Sequence, residues 1–338
     1  MISYIVKRLF SNLITLFLIL AVVFVLARVV PSAPATLWVG PHARAEQVEK
    51  VKEILGLNKP IYAQLAIFLG NALRGDFGVS IRLKRPVLES IAQHLPISLE
   101  LIFTSLLFAL LVGIPVGCIA ALKKSQVPDH LSRLFATATV ALPTFWLAMI
   151  LQFIFFAKLG VLPLGGHMDV LTSMSHPIQR ITGFLLLDSL ISGNFVAFGN
   201  VLQHMILPAL AIAAYPLGFT IRMVRSSMLE VLSEDYILTA RAKGLGMTRV
   251  VTNHALKNAL IPLVTGIALV FGYLLVETFL VESVFNYPGL GLYAAKAIVI
   301  IDYPAIMGVV LVVAVFYLLL NFVADMVIAQ IDPKLRLE

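Results

Sequence analysis

The twenty residues from Gly183 to Leu202, GFLLLDSLISGNFVAFGNVL, decide the topology of this chain. The run Phe184-Leu185-Leu186-Leu187 is apolar enough to suggest a membrane span. Asp188, Gly193, Asn194 and Asn200 argue against it, because ionisable and amide side chains are costly in hydrocarbon. A crossing here would also invert everything downstream. The basic stretch from Arg222 to Lys257 would then lie outside, against the cytoplasmic bias of Lys and Arg in short loops. The segment is therefore read as a helical piece on the outer side.

Working outward, the rest of the chain has the composition of a protein solvated by lipid. Of 338 residues, 60% are apolar and only 13% are charged, and the mean hydropathy is +0.97. A soluble domain has more charge, because its surface must stay wetted. The formal net charge of +7 follows from the cytoplasmic bias just described. The single cysteine, Cys118, lies within an apolar run, which excludes a disulfide framework or a cysteine metal site and suits a packed thiol.

About six transmembrane helices are expected, each near the ~20 residues needed to cross the bilayer core. The first is Leu9 to Val30; Lys7 and Arg8 before it and Ala33-Pro34-Ala35 after it imitate a signal peptide, but the run is too long for one. The others are Pro96–Leu122, Leu131–Phe156, His204–Met223, Ala259–Val281 and Pro304–Ala329. Gly113, Pro115, Gly117, Pro143, Pro208, Pro216, Gly218, Gly266 and Gly272 interrupt them and mark close crossings and kinks. The fold class is an all-α membrane protein with both termini cytoplasmic. Four regions follow: 1–30 with the first span; an extracytoplasmic loop domain, 31–95; a core transmembrane domain, 96–329; and a cytoplasmic tail, 330–338. Within the core, 157–203 is an extracytoplasmic connection and 224–258 a cytoplasmic segment.

The 31–95 loop has structure of its own. Val48, Val51, Ile54 and Leu55 recur at helical spacing among charged residues, and Gly56 ends that helix. Ile61 to Leu73 is apolar enough to lie on the membrane or against the spans, and Arg82 to Pro86 leads into the second span. A cap over the bundle and a docking surface for an external partner are both open readings.

The stretch from Arg222 to Pro262, RMVRSSMLEVLSEDYILTARAKGLGMTRVVTNHALKNALIP, carries the functional signal. Ser233 or Glu234 can cap a short helix that Lys243-Gly244 ends, and Gly246 and Thr248 start a second with Val250, Val251, Ala255 and Leu256. Two short helices between spans cannot bury their apolar edges alone and suit a groove on another protein.

Ala240, Ala242, Gly244 and Leu260-Ile261-Pro262 resemble the "EAA" loop of ABC importer permeases, in the divergent form of the dipeptide/oligopeptide family. RSSMLEVLSEDYILTARAKGLG, HALKNALIPLV, VESVFNYPGLGLYAAKAI, IDYPAIMG, GDFGVSIRLKRPV and LPTFWLAMIL are similar to the same family, and so is DSLISGNFVAFGNVLQHMILPAL. The chain most resembles the first (B-type) permease subunit. The resemblance implies a type I ABC importer permease fold in the cell membrane of a prokaryote. It implies a second homologous permease, two ATP-binding subunits and an extracytoplasmic substrate-binding protein as partners, with membrane lipid around it and no nucleic acid. It also implies that Asp235, Tyr236, Thr239, Ala240, Arg241, Ala242, Lys243, Gly244 and Leu245 meet the ATPase. No G-x-x-x-x-G-K-[ST] loop occurs, so no cofactor is expected on this chain; ATP and Mg belong to the partner ATPases, and the chain is not an enzyme. Peptides are the implied cargo, with oligosaccharides or another small solute as the alternative.

Glu277, in the outer half of the fifth span, is a candidate for the translocation path; a carboxylate paired within the bundle or reaching to the interface is the other reading. Asp325 is expected to cap or to pair with Lys334 or Arg336, and Glu100 and His204 to be interfacial. The seven histidines show no metal spacing, and Gly78-Val79-Ser80 has no base beside it. A secondary transporter would show inverted repeats, and an intramembrane enzyme a catalytic constellation; neither is visible.

Overall fold

A computed structural model describes residues 2–29, 44–54 and 58–331. Helices dominate them because hydrocarbon satisfies no backbone donor, so each crossing segment must bond to itself. In chain order the helices are α1 Ile2–Val29, α2 Ala45–Ile54, α3 Ile61–Ala72, α4 Val87–Leu122, α5 Val127–Ala141, α6 Thr144–Gln152, α7 Val170–Ser175 and α8 Leu185–Ile191. They continue as α9 Phe195–Val231, α10 Asp235–Ala242, α11 Met247–Val250, α12 Ile261–Val284, α13 Leu290–Val299 and α14 Tyr303–Ile331. A π-helical turn, Phe153–Lys158, extends α6, and α11 runs on through a second π-helical turn, Val251–Ala255, to Ala259.

Among the described residues, five helices are long and apolar enough to cross a membrane: Ile5–Ala27 within α1, α4, α9, α12 and Tyr303–Val323 within α14. The third predicted span, Leu131–Phe156, is not one rod. It is α5 and α6, bent by 103°. Pro143 causes the break, since a proline pushes the residue before it out of the helical region. Leu142 is extended at φ −82, ψ 131, and the Pro143 carbonyl starts a new helix by accepting from Trp146 and Leu147. Counted as one span, the bent pair brings the total to six. The second span is longer than predicted, running unbroken from Val87 rather than from Pro96.

Gly183–Leu202 divides. Its first half is the seven-residue α8, and Gly193 at φ +67 turns the chain. Asn194 then caps α9 by accepting from the Ala197 N–H. The second half, from Phe195, therefore joins the fourth span, which starts earlier than the predicted His204. The loop before α8 is built around Asp188. Its carboxylate accepts from the backbone N–H groups of Ile181, Thr182 and Gly183 and from the Thr182 hydroxyl.

The described residues form two compact units, one made of those up to Ser98 with Pro288–Val323, the other of Leu99–Tyr287 with Ala324–Ile331. In the first, one face of α3 lies against the spans. Leu65, Phe68 and Leu69 pack on Leu20 and Phe24 of α1 and on Tyr303 and Met307 of α14. Two motifs far apart in sequence meet here. Ser80 donates its hydroxyl to the Asp302 carboxylate at 2.5 Å, and the Arg82 N–H donates to the same oxygen at 3.1 Å. Ser80 is thus a structural residue of the loop. The predicted helix terminator Gly56, and Lys334 and Arg336 as partners of Asp325, lie outside the described residues.

In the second unit small residues let helices touch. A Cβ on Gly113 would stand 2.8 Å from Thr220, and one on Gly117 2.8 Å from Val224. α4 and α9 therefore approach along a four-residue glycine spacing, the small-residue contact typical of membrane helices. Glu100 is buried in this unit rather than interfacial, at 6% exposure. It accepts from the N–H groups of Leu185 and Leu186 at 2.8 and 2.7 Å, satisfying the first donors of α8 as a capping carboxylate does. His204 is buried too; its Nδ1 meets the Asn200 carbonyl and its Nε2 lies 3.5 Å from Asp169.

Candidate functional site

The segment between α9 and α12 is built from its local signals. α9 ends at Val231, and Ser233 turns its hydroxyl back to the Glu230 carbonyl rather than capping the next helix. Glu234 occupies the N-cap position of α10 by backbone conformation, without a side-chain bond, and Asp235 places a carboxylate in the first turn where the helix dipole favours it. The helix closes in a Schellman motif: Leu245 N–H reaches the Ala240 carbonyl and Gly244 N–H the Arg241 carbonyl. Gly244 supplies the left-handed residue this needs, at φ +79. Gly246 then leads into the run from Met247 to Ala259. The Asn258 amide donates to the Tyr236 hydroxyl at 2.8 Å and so ties the end of that run back to α10.

The apolar edges of these helices are not left for another protein, contrary to the expectation from their length. Ile237, Ala240, Val250, Val251, Ala255 and Ala259 are buried in one cluster with Val224 and Met228 of α9, Cys118 and Ala121 of α4, and Leu263 of α12. An eight-residue helix cannot fold by itself, and its own spans supply the missing core. The segment is thus one solid piece with the ends of three crossing helices.

What remains exposed is the opposite face. Asp235, Tyr236, Thr239, Arg241, Ala242, Lys243 and Gly244 all lie on the surface, Leu245 is half-buried, and Ala240 alone of the expected contact residues turns inward. Leu238, Met247 and Arg249 extend the exposed face. It presents Tyr236, Leu238 and Met247 as apolar protrusions, 41%, 52% and 44% exposed, with basic side chains beside them. An exposed apolar group rimmed by charge is the composition of an interaction surface.

One pair that sequence reasoning missed anchors this piece. Arg225, at the end of α9, forks onto Asp129 in the first turn of α5, with its second bond at 2.9 Å. The Ser125 N–H donates to the same carboxylate at 2.9 Å, and Asp129 is 1% exposed. Residues separated by 96 positions carry no local signal of pairing.

Glu277 stands half-buried on α12, away from this segment. Tyr273 lies one turn earlier on the same helix, and its ring lies 4.4 Å from that of Tyr215 on α9.

Comparison with known proteins matches residues 113–337 to the family described as binding-protein-dependent transport system inner membrane component. Residues 1–102 match the N-terminal region of such membrane components. The probable D,D-dipeptide transport system permease protein DdpB of Escherichia coli is 43% identical over 314 residues, covering 93% of this chain and 92% of the relative. The dipeptide transport system permease protein DppB of Alkalihalophilus pseudofirmus is 37% identical over 99% of this chain and 100% of its own length. The glutathione transport system permease protein GsiC of Escherichia coli is 37% identical over 99% of both chains.

Proposed function

The chain belongs to the family of binding-protein-dependent transport system inner membrane components, as a multi-pass permease of the cell membrane, and on that premise we propose that it moves peptides through one half of an ATP-driven importer. A second homologous permease completes the path. Two ATP-binding subunits drive it, and an extracytoplasmic binding protein delivers cargo. The names of the relatives, which concern dipeptides, D,D-dipeptides and glutathione, support small peptides as the class.

The observation that carries the mechanism is the two-faced segment 233–259. Its inner face is packed into the ends of α4, α9 and α12, and its outer face is free to meet another subunit. The surplus of Lys and Arg from Arg222 to Lys257 supports a cytoplasmic position for that face and for both termini. A push from an ATPase on Tyr236, Leu238 and Arg241 reaches the spans without slack, because Ile237 and Ala240 are locked against Val224 and Met228. Alternating access then follows as a rigid-body change between discrete packings. No step of ATP chemistry falls to this chain; it receives displacement.

Purification from a host that supplies the whole system tests this reading. The chain is expected to bring down a second permease and an ATPase, and Leu238→Glu to abolish ATP-dependent peptide uptake while the protein still inserts. An active, homogeneous single-subunit transporter, or full uptake by Leu238→Glu, would refute it.

A further inference from the structure

Among the described residues no basic side chain pairs with Glu277, and Tyr273 stands one helical turn before it on α12. The carboxylate nonetheless lies well inside a crossing helix, seven residues before the end of α12 at Val284. Around it the exposed side chains of α12 are apolar: Leu269, Val276 and Leu280 share the face that carries Tyr273. Hydrocarbon would penalise an uncompensated charge there, and an internal salt bridge has not been provided.

One aromatic ring, Tyr273, stands one helical turn from the charge, and a second, Tyr215, packs on it. Tyr215 and Tyr273 lie 4.4 Å apart at an interplanar angle of 38°. Tyr215 is near the middle of the 37-residue α9 and Tyr273 near the middle of the 24-residue α12. Glu277 lies one turn farther along α12 than Tyr273, so the set stands within the length of these crossing helices rather than at their ends. Tyr273 is 41% exposed, and Tyr215 and Glu277 are half-buried, so all three keep surface on which a ligand can rest. Tilted tyrosine faces next to a carboxylate match a compact organic cation: the rings supply cation–π attraction and the carboxylate supplies the opposite charge.

We propose that Tyr215, Tyr273 and Glu277 form a cation station within the membrane span that takes the free terminal ammonium group of a peptide in transit. This rests on the peptide-importer reading above for the identity of the cation, but not for the existence of the station. The station holds the ammonium briefly and releases it when the helices repack, since both helices that build it join the segment expected to be pushed. A half-open site with one formal charge suits passage, because a closed cage would retain its cargo.

The test uses the assembled importer in proteoliposomes. Val276→Cys, exposed and one residue from Glu277, and in a second variant Tyr215→Cys, are treated with a cationic and with an anionic methanethiosulfonate of similar size. Cys118 is buried and sets the background in the parent. A wet site beside an unpaired carboxylate should favour the cationic reagent by about tenfold, and Glu277→Gln should abolish the preference. Dialanine should slow the modification, while N-acetyl-dialanine should not. Absence of reaction at both cysteines, or a preference unchanged by Glu277→Gln, overturns the station. A preference without protection by dialanine overturns the ammonium terminus as its ligand. Uptake of dialanine by the parent importer reports separately on the peptide reading.

Discussion

The Asp129–Arg225 pair shows how much one residue can carry. Asp129 is almost wholly buried and takes three hydrogen bonds, two from Arg225 and one from the Ser125 backbone, with Ser125 held at φ +63. Breaking such a pair leaves a buried group uncompensated and costs about 3 kcal/mol. Asp129→Asn is expected to lower the melting temperature of the purified chain in detergent and to weaken coupling, since α9 loses its tie to α5. The swapped pair Asp129→Arg with Arg225→Asp should recover part of the loss in the same melt; no recovery would mean that the pair matters only through each side chain's shape. Gly244 is a second single-residue device. Space around it is open, so Gly244→Ala meets no neighbour and suffers only from the left-handed backbone. A loss of about 1 kcal/mol is expected by chemical denaturation.

At the scale of elements, the two faces of α10 separate folding from coupling. Ile237 is 0% exposed and Leu238 is 52% exposed, one position apart. Ile237→Asp buries an unpaired carboxylate and should unfold the segment, seen as a large fall in melting temperature. Leu238→Glu is expected to leave the melt within about 0.5 kcal/mol of the parent and to remove ATP-dependent uptake. Equal melting losses in both variants would contradict the assignment of faces. The sequence marks Tyr236-Ile237-Leu238 as the apolar edge of α10, yet of these only Ile237 is buried, and the buried edge is Ile237 with Ala240. That edge lies on Val224, Met228 and Cys118, and only the tertiary packing shows that the chain covers it itself. Pro143 was legible as an interruption, whereas the 103° bend it opens between α5 and α6 was not.

For the whole molecule, the connection between α6 and α9 ties acid sensitivity to fold. Burial, with Arg180 and His204 nearby, depresses the His167 imidazole to about 4. Burial alone would raise the Asp188 carboxyl, but the hydrogen bonds from Thr182, Ile181 and Gly183 outweigh it and hold it below the usual range. A histidine kept neutral in the fold binds its proton more readily when unfolded, so its contribution to stability is present above pH 6.5 and is lost as pH falls from there towards 4. The melting temperature is expected to decline over that window, and His167→Gln should flatten the decline; an unchanged profile in the variant would remove His167 as the cause. Topology is tested at the same scale. With the bent α5–α6 pair as one crossing, a cysteine at Leu171 should be labelled from outside intact cells and one at Lys243 only after permeabilisation. Labelling of both from the same side would contradict the span count.

The sequence by itself determined that the chain is helical and membrane-embedded, because lipid leaves an apolar run of about twenty residues no other way to satisfy its backbone. It also determined that Gly183–Leu202 is not a separate span, since Asp188 and the basic stretch after it oppose a crossing. The tertiary structure alone decided where that segment divides, with Asp188 organising a loop and Phe195 opening the fourth span. It alone brought Asp129 to Arg225, Glu100 to α8 and Tyr215 to Tyr273. The reason is range. Periodicity and the cost of charge in lipid act between residues a few positions apart, while these pairings join residues tens of positions apart that only helix packing brings into contact.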